Sequence, residues 1–175
     1  MTKEEFLKEL YTPAWGVLQF YMIRPIITLT QAFHESSKYV MGFWKLSGLT
    51  VKANNLFGMK YTPKWKGAIW SGKTIEYPSA DNSITYEGKF KAYQNWGESI
   101  WDWAELISKF SLYKVAYEYA KKGEVYNYGK EVRAQYDNMG RRTRDGFAWD
   151  PVYERKLLEC STVVGKILNK NNLEF

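Results

Sequence analysis

The chain has one cysteine and one histidine in 175 residues. Cys160 alone cannot form an internal disulfide, and its place in a late apolar-periodic stretch reads as a small packed hydrophobe. One cysteine with His34 cannot build a common zinc site, so neither a metal nor another cofactor is expected. A Cys160–His34 nucleophilic pair is possible in principle, but nothing around either residue resembles an activated-thiol motif. No apolar run approaches the length of a membrane span. The opening residues, MTKEEFLKEL, have neither the basic nor the apolar region of a secretory leader. The expectation is export by another route, or a leader outside this sequence. Zinc-finger spacing, an RNP-like motif and a basic heptad region are all missing, which argues against nucleic acid as the partner.

Aromatic residues are abundant, at 18%, with eight Trp and fourteen Tyr. Many must serve the core, and an excess of this size also suits sugars, whose apolar C–H faces stack on rings. The formal net charge is +6, which favours anionic polymers in general. The basic residues are dispersed apart from Arg141, Arg142 and Arg144, which read as a solvated loop. The shares of hydrophobic (45%) and charged residues (25%) fit a folded globular chain. Its length fits one domain over 1–175, expected to be monomeric.

Periodicity predicts a helix over 3–24, interrupted by Pro13 and Gly16, and a boundary at Arg24-Pro25. A second helix is expected from Ile27 to Tyr39, with Thr28, Gln31 (or Ala32) and Glu35 on a shared face. Residues 41–63 read as loop with short helical turns. Segments 66–77 and 83–93 look extended and flank a turn-rich link, which predicts a β-hairpin. Helices follow over 96–110 and 112–121, then a weaker helical stretch over 123–144. A last helix should start at Asp150-Pro151, with Asp150 as its cap. The expected class is α+β and mostly helical, with a cleft between a helical body and a small hairpin lobe.

Glu35 lies near the end of an otherwise apolar helix. Partial burial there would raise its pKa, as a general acid requires. From periodicity alone, a solvated glutamate at a helix end is the simpler reading. The surrounding words point further. Ile27 to Ser36 reads ITLTQAFHES and resembles the "TLAQAxxES" helix of the bacterial glucosaminidase family, glycoside hydrolase family 73, found in autolysins, flagellar wall-penetrating enzymes and phage lysins. Lys52 to Lys60 reads KANNLFGMK, similar to that family's "KANNLFGxK" loop. Trp65-Lys66-Gly67 with Thr74-Ile75-Glu76-Tyr77 resembles its "WxG…TxEx" hairpin, and Phe90 to Tyr93 its "FRxY". Glu98 to Trp103 resembles "ESxxDH" with Trp103 at the usual His. Gly146 to Tyr153 resembles "GYATDPxY". Six such words in order cover nearly the whole chain.

This resemblance implies a lysozyme-like fold and hydrolysis of the β-1,4 bond after N-acetylglucosamine in peptidoglycan, with Glu35 as general acid. The family's second glutamate falls on Glu76, with Glu87 as a rival on the opposite strand. Family members also use the substrate's own acetamido group as nucleophile. Candidate substrate contacts are Gln31, Asn55, Phe57, Tyr93, Phe147 and Tyr153, with Asn54 and Phe57 also open to a structural role. Phe147 stands where a site tyrosine is usual, so either Tyr153 or Tyr93 supplies the hydroxyl or the mechanism does not need it. His34 beside Glu35 reads as a packing or surface residue. Related readings are a muramidase or lytic transglycosylase on the same polymer, or a wall-binding virion module with weakened catalysis. The lack of a visible leader and of wall-binding repeats suits a compact phage endolysin or virion enzyme acting on the periplasmic or extracellular wall, and a host protein exported by a dedicated machine fits nearly as well.

Overall fold

The computed structural model describes residues 1–79, 82–136 and 142–174, with the backbone alone at 74–79, 82–84, 136 and 142. Helix α1 spans Lys3–Tyr21. It starts with a capping box: the Thr2 hydroxyl accepts from the Glu5 N–H and the Glu5 carboxylate accepts from the Thr2 N–H. Pro13 sits inside it without ending it; the stop comes at Met22, in the left-handed region with φ 56°.

Helix α2, Pro25–Ser36, begins with Pro25 in the first turn, where a missing N–H costs nothing. Every residue from Ile27 to Phe33 is buried. A helix apolar or buried on all sides belongs at the centre of a fold, and α2 packs against α1 on one side and, on another, against α7, Tyr153–Lys170.

α2 stops three residues short of the expected Tyr39. Ser36 and Ser37 turn their hydroxyls back onto the carbonyls of Ala32 and Phe33, a local bond that competes with further helix. Instead, β1 (Ser37–Val40) and β2 (Phe43–Leu46) form an antiparallel hairpin. Met41 and Gly42 both have positive φ, 52° and 79°, as a tight hairpin turn requires. Within the expected loop that follows, α3 (Gly48–Ala53) is a short helix capped by Ser47.

The expected lobe is β3 (Ala68–Ser79) paired antiparallel with β4 (Asn82–Ala92). α4 (Trp96–Lys109) carries an apolar face of Ile100, Trp103, Ala104 and Ile107, all fully buried. A single 3-10 turn leads into α5 (Lys114–Lys122), and α6 (Val125–Val132) follows. The helical reading of 123–144 fails after Val132. β5 (Gln135–Tyr136) pairs with β6 (Arg142–Arg144) instead, and residues 137–141, Arg141 among them, lie outside the described residues. The last helix, α7, starts at Tyr153, later than expected. Asp150 does not cap it; its Oδ1 accepts from the Val152 N–H at 3.0 Å in the turn before.

One buried cluster joins Phe6, Leu7 and Leu10 of α1 to the α2 face, to Leu56 and Phe57, to Trp103 of α4, and to Leu157 and Val164 of α7. The layout is mostly helical α+β with small two-stranded sheets, a lysozyme-like fold. No helix among the described residues is long and apolar enough to cross a membrane.

Candidate active site

Glu35 sits in the last turn of α2, and Ser36 after it is pinned: its carbonyl accepts from the Ser47 N–H at 2.7 Å and the Thr50 hydroxyl at 3.2 Å. Tyr153, at the start of α7, donates its hydroxyl to Glu35 Oε1 at 2.5 Å. Burial raises the Glu35 pKa from 4.5 to about 7; the Tyr153 hydrogen bond opposes that rise and the Asp150 charge adds to it. The carbonyl end of α2 also disfavours a carboxylate. A carboxyl that keeps its proton to near neutrality can donate it, which is what a leaving alkoxide needs.

Asp150 and His34 complete this corner. Burial works to raise Asp150, but hydrogen bonds from Lys156 and the Val152 N–H outweigh it and hold the carboxylate below its ordinary range. His34 is pushed down by burial and by Lys156. Its ring meets Tyr153 edge-on, with centroids 5.3 Å apart. His34 Nδ1 lies 3.7 Å from Cys160 Sγ, so the chain does bring its one histidine and one cysteine together. Burial lifts the Cys160 thiol to about 11 while the imidazole stays neutral, the reverse of an activated thiolate–imidazolium pair.

Glu76 lies on β3, paired with Ile84. In strand phase it goes with Trp70 and with Phe90, a buried ring that contacts Trp70 at 6.0 Å. The side chain of Glu76 lies outside the described residues. Glu87 is paired with Lys73, out of phase with Glu76 and exposed together with Ser71 and Lys89.

The sequence motifs held more supports than sugar contacts. Gln31 is fully buried, and its Oε1 accepts from Trp103 Nε1 at 3.1 Å and from the Tyr128 hydroxyl. Asn55, 1% exposed, donates to the carbonyls of Met59 and Lys91 and accepts from the Met59 N–H. Phe57 stacks on Trp103 at 4.8 Å, inside the core. These three have no free surface with which to meet a sugar. Tyr153 is 1% exposed and reaches the site only through its hydroxyl. Asn54 donates to the carbonyls of Tyr93 and Gln94 from a left-handed backbone, a structural role. Phe147 alone among the expected contacts is partly exposed.

Tyr93 is buried too. It donates to Asp102 Oδ2 at 2.6 Å, and Lys91 Nζ reaches the same carboxylate at 2.8 Å while lying 4.9 Å over the Trp65 ring. Burial and the Asp102 carboxylate together push the Tyr93 hydroxyl well above its usual range. This cluster ties the root of β4 to α4. Asp102→Ala strands an ammonium and a phenol that are mostly shielded from water. A loss of about 2 kcal/mol is expected, below the value for a fully buried pair because both partners keep some solvent. Urea denaturation checks it; an unchanged midpoint would remove Asp102 as the anchor. Sequence periodicity missed Tyr128, Trp103 and Asp102 as partners. The usable signal was chemical: an amide and an indole on buried helix faces each need a partner.

The family profile described as mannosyl-glycoprotein endo-β-N-acetylglucosaminidase matches residues 12–163. The exo-glucosaminidase LytG of Bacillus subtilis (strain 168) is 30% identical over 155 residues, covering 89% of this chain and 49% of the relative. Peptidoglycan hydrolase FlgJ of Escherichia coli (strain K12) is 25% identical over 166 residues, covering 94% and 48%. The chain thus spans about half the length of the curated relatives it matches. Among solved structures, a peptidoglycan hydrolase mutant from Sphingomonas sp. A1 superposes with a TM-score of 0.73 at 19% identity, covering 95% of this chain and 99% of that one.

Proposed function

The chain belongs to the mannosyl-glycoprotein endo-β-N-acetylglucosaminidase family of glycoside hydrolases, and from that premise we propose that it cleaves the β-1,4 bond after N-acetylglucosamine within peptidoglycan strands. The observation that carries the reading is Glu35: a carboxyl at the end of a buried helix, held protonated to about pH 7 and fixed by Tyr153. Glu35 gives its proton to the glycosidic oxygen. The C1–O bond breaks with its electron pair going to that oxygen, and the leaving sugar departs as an alcohol. C1 is captured by the substrate's acetamido oxygen or by water directed by Glu76, the second carboxylate on β3. Tyr153, not Phe147, supplies the tyrosine hydroxyl at the acid; Phe147 keeps a partly exposed ring for a sugar face.

The pH dependence follows from the sign of the Glu35 shift. A general acid works while protonated, so activity is expected to fall as pH rises through about 7. Steady-state rates on purified walls across the range from mildly acidic to mildly basic check this; a basic limb near the ordinary carboxylate range would rule out Glu35 as the group seen. Borohydride labelling of digested walls tests the bond cleaved. New reducing N-acetylglucosamine ends support the proposal, reducing muramic ends indicate a muramidase, and anhydro-muramic ends a transglycosylase.

An exo-acting mode is a second reading, favoured by the name of the 30%-identical relative, an exo-glucosaminidase. Product sizes separate the two: long fragments appear early under endo attack and only short sugars under exo attack. The reading extends to a monomeric catalytic domain over 1–175 acting at the cell wall, as part of a phage endolysin or virion-borne enzyme. Light scattering, and genes for phage lysis proteins beside its own, test those two points.

A further inference from the structure

Two glycines face each other in the middle of the long hairpin. Gly72 of β3 is paired with Gly88 of β4, and the register runs unbroken from Ala68–Ala92 to Glu76–Ile84. The pair therefore marks no bulge. Gly72 also keeps its φ outside the left-handed region, so its backbone does not call for glycine. The other use of a bare backbone inside a strand is the close approach of another group. That group is Trp70, two residues earlier on the same face. Its six-membered ring is laid over Gly72. A Cβ there would come within 2.0 Å of Trp70 Cη2 and 2.6 Å of Cζ2 and Cζ3.

Three neighbours complete this face. Phe90, directly opposite Trp70, is buried, with the two ring centroids 6.0 Å apart. Lys60 bridges to Phe90 from the other side of β4, which sets Lys60, Phe90 and Trp70 in one row across the sheet. From there Lys60 Nζ reaches the Tyr86 hydroxyl at 3.1 Å, on the next same-face rung beyond the glycine pair. Trp70 and Tyr86 are both partly exposed. The face thus carries a flat indole with an ammonium and a phenol hydroxyl beside it. A pyranose ring has matching needs: an apolar C–H face for a flat ring, and a rim of hydroxyl and acetamido groups for donors and acceptors. We propose that this face of the hairpin is a subsite for an N-acetylhexosamine unit of the glycan strand. Trp70 is its platform, Lys60 and Tyr86 bond the rim of the sugar, and Gly72 provides the clearance that lets the indole lie flat. The proposal rests on the reading of this chain as a peptidoglycan glycan hydrolase with Glu76, in the same strand phase, as its second carboxylate.

Titration calorimetry of the Glu35→Gln chain with glycan strands stripped of their stem peptides reads the subsite without turnover. Adding Trp70→Ala should weaken that binding roughly 10-fold. With Glu35 in place, Trp70→Ala should raise KM on purified walls by a similar factor and leave kcat little changed. Gly72→Ala tests the clearance. Its methyl group displaces the indole, whose far end can swing away, while alanine suits a strand better than glycine. Binding should weaken in the same direction, and the change should add nothing in the Trp70→Ala background. Gly72→Ala serves alone if Trp70→Ala does not fold. Unchanged affinity in a folded variant overturns the subsite. A lowered melting temperature with affinity intact also overturns it, because Trp70 then serves packing only. So does a Gly72→Ala effect that adds to that of Trp70→Ala. Full wall clearing by Glu35→Gln, or a parent chain that neither binds nor cuts glycan, would instead remove the underlying reading. A parent that cuts walls beside a Trp70→Ala chain of unaltered affinity overturns the subsite only.

Discussion

Glu35→Gln is expected to lose wall-clearing activity by about 10²- to 10⁴-fold, the contribution of a positioned general acid. Glutamine matches glutamate in shape and can still accept from Tyr153, so the loss tests the proton and not the packing. Stability provides an internal control with a defined sign. The Glu35 carboxyl titrates near 4.5 when unfolded and near 7 when folded. Below about pH 4.5 both states hold the proton and the site carries no penalty. Between those values the folded state keeps a proton the unfolded chain has released, and stability declines until about pH 7, where the penalty is complete. Glutamine has no such penalty. The variant should therefore melt higher than the parent at about pH 8 and level with it at about pH 4. Scanning calorimetry at both values, with a turbidity assay on the same sample, reads the two effects together. Retained clearing would end the catalytic assignment. Lost clearing with a lower melting temperature on the basic side would point to misfolding instead.

Gly146→Ala should produce the largest loss of stability short of removing a core side chain. A Cβ on Gly146 would lie 2.2 Å from both the Ala134 nitrogen and the Arg133 carbonyl carbon. These are backbone atoms and cannot swing aside. They belong to a crossing in which the Phe147 N–H donates to Val132 O at 2.8 Å and the Ala134 N–H to Ala148 O at 2.7 Å. Relieving the clash means breaking one of those bonds or parting the segments. A cost of about 3 kcal/mol or more is expected, at the upper end for overpacking, visible as a lower urea midpoint. Because the crossing carries the chain toward Asp150 and Tyr153, the variant should also lose wall clearing out of proportion to its unfolded fraction. A Gly146→Ala chain as stable as the parent would mean that the two segments are not packed this closely.

The sequence disclosed the helix that carries Glu35 and the long hairpin because both have strong local signatures: a run of apolar residues ending in Glu35, and two alternating segments around a turn-rich link. It concealed β1 and β2 because the helical period runs on past Ser36. The helix is stopped by serine hydroxyls folding back on Ala32 and Phe33, a local contest that period counting does not register. Gln31 shows a different limit. Being four residues before Glu35 places both on one helical face, and that suggested a shared exposure to substrate. Gln31 is fully enclosed while Glu35, one turn on, is only partly buried, so shared direction does not mean shared exposure. Asn55 and Phe57 follow the same logic: their motif positions are right, but they hold the loop together.

The enclosure of α2 on every side also bears on how such a chain can change over generations. From Ile27 to Phe33 no residue faces solvent, so a substitution there alters the core before it alters the chemistry. Adaptation to a new polymer has little room along this helix. It has room on the hairpin 37–46, where Met41 and Phe43 are 93% and 71% exposed, and on the outward phase of β3 and β4. Packing holds the run from Ile27 to Phe33 fixed, while the exposed positions of the 37–46 hairpin are released from that constraint.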